Sequence, residues 1–359
     1  MPEEVEYVSI DALEKFVVDV FVNVGVPILD ARVCADVLIS ADKQGIDSHG
    51  VSRLKPIYYD RIKAGLQSPV TDFEIIRESP TTAVVDGHGG MGMVIGKKAM
   101  QLAIDKAKKL GMGMIAVRNS THYGIAGYYA NIAVEQGLIG ITGTNARPSI
   151  APTFGVENML GTNPLTFGMP TDEPFPFMLD CATSIIQRGK IEVYARQGKK
   201  LPSGLVIGKD GESKTDPDEI LSDLLKGEAA LLPLGGPEET GGYKGYGYAT
   251  VVEILSAALQ GGAFLKALTG VNLGHFFIAL DVSTFTELDE FRRITGDILR
   301  SLRSSQKMPG KQRIYTAGEK EYLTMLERKH RGIPINRSLQ MEINQLKKEL
   351  NLTEHRFTF

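Results

Sequence analysis

Residues 45–54 read GIDSHGVSRL, and they hold the densest group of reactive side chains in the chain. His49 follows Asp47 and Ser48 at the predicted end of one helix and just before another begins. An imidazole titrates near pH 6.5, so one at the mouth of a cleft suits proton transfer at neutral pH. Arg53 lies one helical turn further on and can fork onto a carboxylate. The competing reading is simple capping, with Asp47 and Ser48 ending the helix and His49 solvated. A second histidine, His122 in RNSTHYG, falls between a predicted strand and a predicted helix, where functional groups collect.

Three further segments bring polar groups to strand ends. The loop 144–163 carries Asn145 and Arg147, which are candidate amide and anion contacts. In DCATSIIQRGK, Asp180 closes an apolar strand, and Thr183 or Ser184 opens a helix. A carboxylate there can orient a histidine, free helix N–H groups there can hold a phosphate, and the plain alternative is again capping. Lys244 stands among glycines at a helix start in GGYKGYGYA, a suitable place for a cation near a cofactor phosphate.

Gly87, Gly89 and Gly92 fit G-x-G-x-x-G between a strand-like run and a helix-like run. A Rossmann fingerprint also needs an acid about twenty residues on to hold the ribose. Here that strand ends in Arg118, Asn119 and Ser120. The motif therefore reads as a tight strand-to-helix turn, although Arg118 could accept a 2′-phosphate.

The elements that must position these groups are mixed. The first seventy residues read as helices: one capped by Ser9 or Asp11, one over 27–43, and RLKPIYYDRIKAG ending at Gly65. Strands are expected in FEIIRE, TAVVDG, MGMIAVRN, LIGITGTN, NPLTFGMP, FPFMLDCAT and FFIALDV, with helices over 92–110, 125–137, 184–197 and 244–260. Strands follow one another from 139 to 183, which argues for a mixed sheet over a doubly wound one. Residues 200–242 read as a long surface excursion, and the last fifty return to helix, with Ser338 capping RSLQMEINQLKKELN. The expected division is a helical domain from residues 1–70 with 310–359 and an α/β core over 71–309.

Composition narrows the function. The 359 residues are 43% hydrophobic, enough for a sizeable core. A net charge of −3 and a pI near 6.1 argue against nucleic acid or an anionic membrane as partner. No apolar run approaches the roughly 18 residues of a spanning helix, and the acidic opening MPEEVEYVSID is unlike a signal peptide. The expectation is a cytoplasmic protein. The two cysteines, Cys34 and Cys181, make no disulfide framework, and the six histidines form no metal motif, so no metal is expected. Histidine, arginine, aspartate, lysine and asparagine on strand-end loops, without a metal set, suit hydride transfer to a nicotinamide.

The runs DSHGVSRL, STHYGIAGYYA, GTNPLTFGMP, LDCATS, YKGYGYA and RGIPI, in order from about residue 8 to 335, resemble the type-2 malate/L-lactate dehydrogenase family. That family includes sulfolactate and ureidoglycolate dehydrogenases, diketogulonate reductase and piperideine-carboxylate reductase, and the chain is most similar to its archaeal malate dehydrogenases. The resemblance implies a non-Rossmann nicotinamide-binding fold with a mixed sheet, and a homodimer. It also implies His49 as proton donor to the keto oxygen, Ser48 and Asp180 as its relay partners, and His122 polarising the substrate or sharing the proton path. Arg53 would clamp one carboxylate of (S)-malate or oxaloacetate, and Arg147 or Arg188 the other. Asp180, Ala182 and Thr183, with Lys244, match cofactor contacts. The family often carries P-G-E near residue 310, where this chain has Pro309, Gly310 and Lys311, which leaves NAD or NADP open. The alternatives are a reductase of another 2-keto acid (lactate or sulfolactate type) or of a cyclic imine acid, and a non-catalytic dinucleotide-binding regulator. A metal-dependent malic enzyme lacks a visible carboxylate cluster.

Overall fold

The computed structural model describes residues 5–359; the acidic opening at residues 1–4 lies outside the described residues. Strand β1 (Val5–Val8) leads to Ser9, whose hydroxyl accepts the Ala12 N–H at 3.4 Å and starts α1 (Ile10–Asn23). Leu13, Phe16, Val17, Val20 and Phe21 recur at helical spacing and form the buried face of α1, against α2 (Ile28–Lys43). The stretch 53–65 does not form the single helix its pattern suggests. A 3₁₀ turn (Val51–Arg53) opens into a π-helical turn (Leu54–Tyr59) before α3 (Asp60–Lys63). Pro56 lies inside that turn, and with no N–H to give it cannot sustain an α-helical ladder.

The chain then runs β2 (Glu74–Glu78), β3 (Thr82–Asp86), α4 (Gly92–Leu110), β4 (Met112–Ser120), α5 (Ala126–Glu135), β5 (Leu138–Thr144), β6 (Leu165–Met169) and β7 (Phe177–Cys181). It continues through α6 (Arg188–Arg196), β8 (Val206–Gly208), α7 (Pro217–Lys226), β9 (Ala229–Leu231), α8 (Gly242–Ala257) and β10 (Leu273–Asp281). The last elements are α9 (Leu288–Ser304), α10 (Glu319–Arg331), β11 (Ile333–Asn336) and α11 (Arg337–Glu349).

Seven strands form one sheet in the order β2-β3-β4-β10-β5-β6-β7. Only β3 and β4 are parallel, joined by the crossover helix α4; every other pairing is antiparallel. The sheet is therefore mixed, as the consecutive strand runs require. β10 arrives from far along the chain and inserts between β4 and β5, burying Phe276, Phe277 and Ala279 at the centre.

The two chain ends meet: β1 pairs antiparallel with β11, Val8 opposite Ile333. Ile333, Ile335, Ile343, Leu346 and Leu352 join α1 and α2 in one hydrophobic cluster. Asn336, not Ser338, caps α11, accepting the Leu339 N–H at 3.0 Å.

The expected surface excursion at 200–242 is in fact folded. Asp216 caps α7 with Pro217 at its first position, and Ile150, Ile191, Val206, Ile220 and Leu231 share a separate core. The amphipathic α9, also absent from the sequence reading, carries only two buried residues, Gly296 and Leu299.

Candidate active site

His49 and His122, 73 positions apart in sequence, come together as near-parallel rings with centroids 5.8 Å apart and planes inclined by 22°. His49 rides the turn after α2. Ser48 Oγ lies 2.8 Å from its Nδ1, and the Arg53 Nε donates to the Ser48 carbonyl. Beneath the turn is Asp42, buried at the end of α2, whose Oδ2 accepts the Val51 N–H at 2.8 Å. Gly50 is required there, because a Cβ would sit 1.8 Å from Asp42 Oδ1. From α10, Arg328 donates to the Asp42 carbonyl and to the Asp47 carboxylate, so the turn is also gripped from the C-terminal part of the chain.

His122 follows β4. The Gly124 N–H reaches its Nδ1 at 3.2 Å, and since an amide only donates there, Nδ1 accepts and the neutral ring carries its proton on Nε2. The Tyr58 hydroxyl, 2.7 Å from the same nitrogen, then also donates. Burial, reinforced by the charge of Arg53, lowers the His49 pKa from 6.5 to about 4. His122 is held well below its ordinary value by burial first, then by His49, Arg53 and Arg61. Both rings are therefore neutral at pH 7.

The other sequence candidates divide. Asp180 closes β7 with both carboxylate oxygens engaged, Oδ2 by the Gly127 N–H at 2.7 Å and Oδ1 by the Thr166 hydroxyl at 2.9 Å. Burial raises its pKa. No hydrogen bond among the described residues joins it to His49 or Ser48, so the expected relay is not a direct one: the oxygens are occupied by β6 and α5 instead. Ala182 is half-buried beside it. Thr183 turns its hydroxyl onto the carbonyls of Thr162 and Asn163 at 3.2 and 3.0 Å, leaving Ser184 with a buried hydroxyl that has no partner. Arg188 opens α6 four residues later than the expected helix start, and its guanidinium turns outward onto Glu192 at 3.0 Å. The start of α6 nonetheless lies close to the site, since a Cβ on Gly189 would be 4.0 Å from Ser48 Cβ. Lys244 is exposed in the first turn of α8, 5.6 Å from the Tyr243 ring centroid, and Gly310 occupies an open turn with nothing within 4 Å of a Cβ.

Asn145 is no ligand contact: it is buried, accepting the Gly274 N–H and donating to the Ala263 carbonyl. Arg147 is exposed and beside Arg61, both near Gly270. Arg61, Tyr58 and Asp42 escaped the sequence reading. All three sit in helical patterns where core packing or a solvated face explains them equally well.

The glycine turn is structural. The Gly87, Gly89 and Gly90 N–H groups bond to Arg118, Asn119 and Gly87 carbonyls, and Gly92 gives its N–H to the Thr121 hydroxyl at 2.9 Å. A Cβ on Gly92 would meet the Thr121 carbonyl oxygen at 2.1 Å, which explains that glycine by packing. Arg118 is paired to Asp86 at 2.7 Å. With its donors engaged, the turn offers a phosphate no cradle.

A cleft of about 750 Å³ opens beside Gly127 and Met178, walled by Gln44, Glu321 and Tyr322. It reaches the β7 side of the site, while His49, His122 and Arg53 lie outside its lining. Among the described residues one group, Asp19, Glu354 and His355, has ligand atoms close enough for a metal, and it belongs to the packing of the two chain ends, where His355 edges Phe16. No helix of the described residues is long and apolar enough to cross a membrane.

Comparison with known proteins bears on the family and the fold. A family model described as malate/L-lactate dehydrogenase matches residues 8–344. The malate dehydrogenase of Pyrococcus horikoshii is 44% identical over 348 residues, 95% of each chain. The L-sulfolactate dehydrogenase of Methanocaldococcus jannaschii is 40% identical over 94% of this chain and 96% of its own. The crystal structure of malate dehydrogenase from Entamoeba histolytica superimposes with a TM-score of 0.95 at 46% identity, covering 99% of this chain and all of that one.

Proposed function

Because the chain belongs to the malate/L-lactate dehydrogenase family, we propose that it interconverts (S)-malate and oxaloacetate, with His49 moving the proton at the C2 oxygen. The protein is a dehydrogenase of 2-hydroxy acids that uses a nicotinamide cofactor. The observation that carries the finer reading is the pair of neutral, half-buried histidines next to guanidinium groups that have no carboxylate partner among the described residues.

In the oxidative direction, His49 with its Nδ1–H on Ser48 Oγ leaves Nε2 free as the base for the substrate hydroxyl. His122, with its proton on Nε2, donates a hydrogen bond to the same oxygen and stabilises charge as it develops there. In reduction the proton returns along the same path. Arg53 sits on the His49 turn and forks onto the carboxylate next to C2. Arg147 takes the second carboxylate in preference to Arg188, whose guanidinium is committed to Glu192.

The residues present fit a nicotinamide dinucleotide. The unpartnered Ser184 hydroxyl and the start of α6, which no side chain caps, offer donors to its phosphates beside Ser48. Asp180, Ala182, Thr183, Lys244 and Gly310 are the contacts assigned to it. When bound, the cofactor accepts or supplies the hydride. We also read the molecule as a helical unit from both chain ends set against the α/β core, supported by the β1–β11 pairing. A homodimer is supported by the exposed apolar residues Val251, Ile254 and Phe264 on and after α8.

His49→Ala tests the assignment. It should lower kcat by about two to four decades, the ordinary worth of a general acid/base, while NADH binding followed by fluorescence stays intact. A near-normal kcat would remove His49 from the mechanism.

A further inference from the structure

We infer that Arg61, paired with Arg147, is the specificity-determining clamp for a second anionic group on the substrate, a carboxylate or a sulfonate. The inference rests on the 2-keto-acid reading above and assigns a residue that reading does not use. Arg61 lies on α3 and Arg147 in the loop after β5, and the loop before β10 brings both to one spot. A Cβ built on Gly270 would lie 3.5 Å from both terminal nitrogens of Arg61 and 3.6 Å from Arg147 Cδ. Gly270 itself has φ +90°, so the position suits glycine in conformation and keeps the space beside the two arginines open.

Two features make this more than a surface coincidence. First, Arg61 is half-buried and oriented by one bond, its Nη1 to the Gly270 carbonyl at 3.0 Å. Second, no carboxylate of the described residues pairs with Arg61 or Arg147. Instead burial, and after it the charge of Arg147, lowers the Arg61 pKa. Like charges held together without a counter-ion are costly unless an anion joins them. Arg61 follows three residues after Tyr58, whose hydroxyl lies 2.7 Å from His122 Nδ1, and its charge is felt at both groups, so Arg61 stands near the histidine pair. Arg53 then holds the carboxylate next to the reacting carbon, and Arg61 with Arg147 the far group. A monocarboxylate such as pyruvate has nothing to offer the pair.

The test compares kcat/KM for oxaloacetate, 3-sulfopyruvate and pyruvate in the wild-type enzyme and in Arg61→Met. Removing a desolvated charge contact should cut the oxaloacetate-to-pyruvate ratio about 100-fold, with the sulfonate falling alongside the dicarboxylate if both are bound this way. Arg147→Met, at an exposed position that folding tolerates, should show the same signature. Equal losses on all three substrates, or an unchanged ratio in both variants, would overturn the assignment. Absence of any 2-keto acid turnover in the wild type would instead overturn the underlying reading, so the two failures are separable.

Discussion

The proposed chemistry depends on two imidazoles that stay neutral. His49 has a folded-state pKa of about 4 against an ordinary 6.5, lowered by burial and by Arg53. The proposed base is therefore unprotonated throughout the neutral range. In the free enzyme, the acid limb of kcat/KM for malate oxidation should lie near pH 4 and the profile should stay flat through neutrality. Arg53→Met removes the second cause but not the first, so the limb moves upward yet stops short of 6.5, alongside the loss of carboxylate binding. A wild-type limb near 6.5 would mean that the ring is solvated. Sequence could name His49, Arg53 and His122 because histidine and arginine on short polar loops are conspicuous. It could not supply the Gly124 N–H that sets the His122 tautomer, since that bond depends on the backbone path after β4. Nor could it see that Arg188 turns onto Glu192, a pairing that depends on how α6 begins.

At the scale of elements, the His49 turn is locked between α2 and α10. Asp42 is the keystone, and burial raises its pKa to about 8 from 3.8. A carboxyl whose folded-state pKa is raised favours the folded state fully below its unfolded value, and the contribution is lost as pH climbs through the folded one. Wild-type thermal stability should therefore fall between about pH 4 and pH 8 relative to Asp42→Asn, which keeps an acceptor for the Val51 N–H and cannot ionise. Parallel melting curves for the two proteins across that range would contradict this. Gly92→Ala addresses the turn after β3. Its new methyl meets the Thr121 carbonyl, so the strand-to-helix packing should loosen by about 1–3 kcal/mol, measured by denaturant unfolding. The element map was largely legible where periodicity was strong: α4 spans the expected residues 92–110. It failed where one residue overrode the pattern, as Pro56 does in the π-helical turn. It also failed at α7, where Asp216-Pro217 is a helix start that the surrounding glycines and charges obscured.

For the whole molecule, the packing of the two chain ends matters most. β11 closes on β1, and Ile335, fully buried, helps seal the cluster that supports α2 and with it the His49 turn. Ile335→Ala should cost about 2–5 kcal/mol, and activity should be lost over the same temperature range as structure. The mixed character of the sheet was readable from the unbroken strand run between 139 and 183. The insertion of β10 at its centre was not, because strand order is set by long-range pairing that no local pattern encodes. The central claim concerns the working molecule as a whole. Its most direct test is nicotinamide absorbance with purified protein, NADH or NADPH, and oxaloacetate beside pyruvate. Rapid oxidation of one reduced cofactor with oxaloacetate, outpacing pyruvate, is the expected result and identifies the preferred cofactor in the same assay. No oxidation with oxaloacetate and either cofactor would contradict the account.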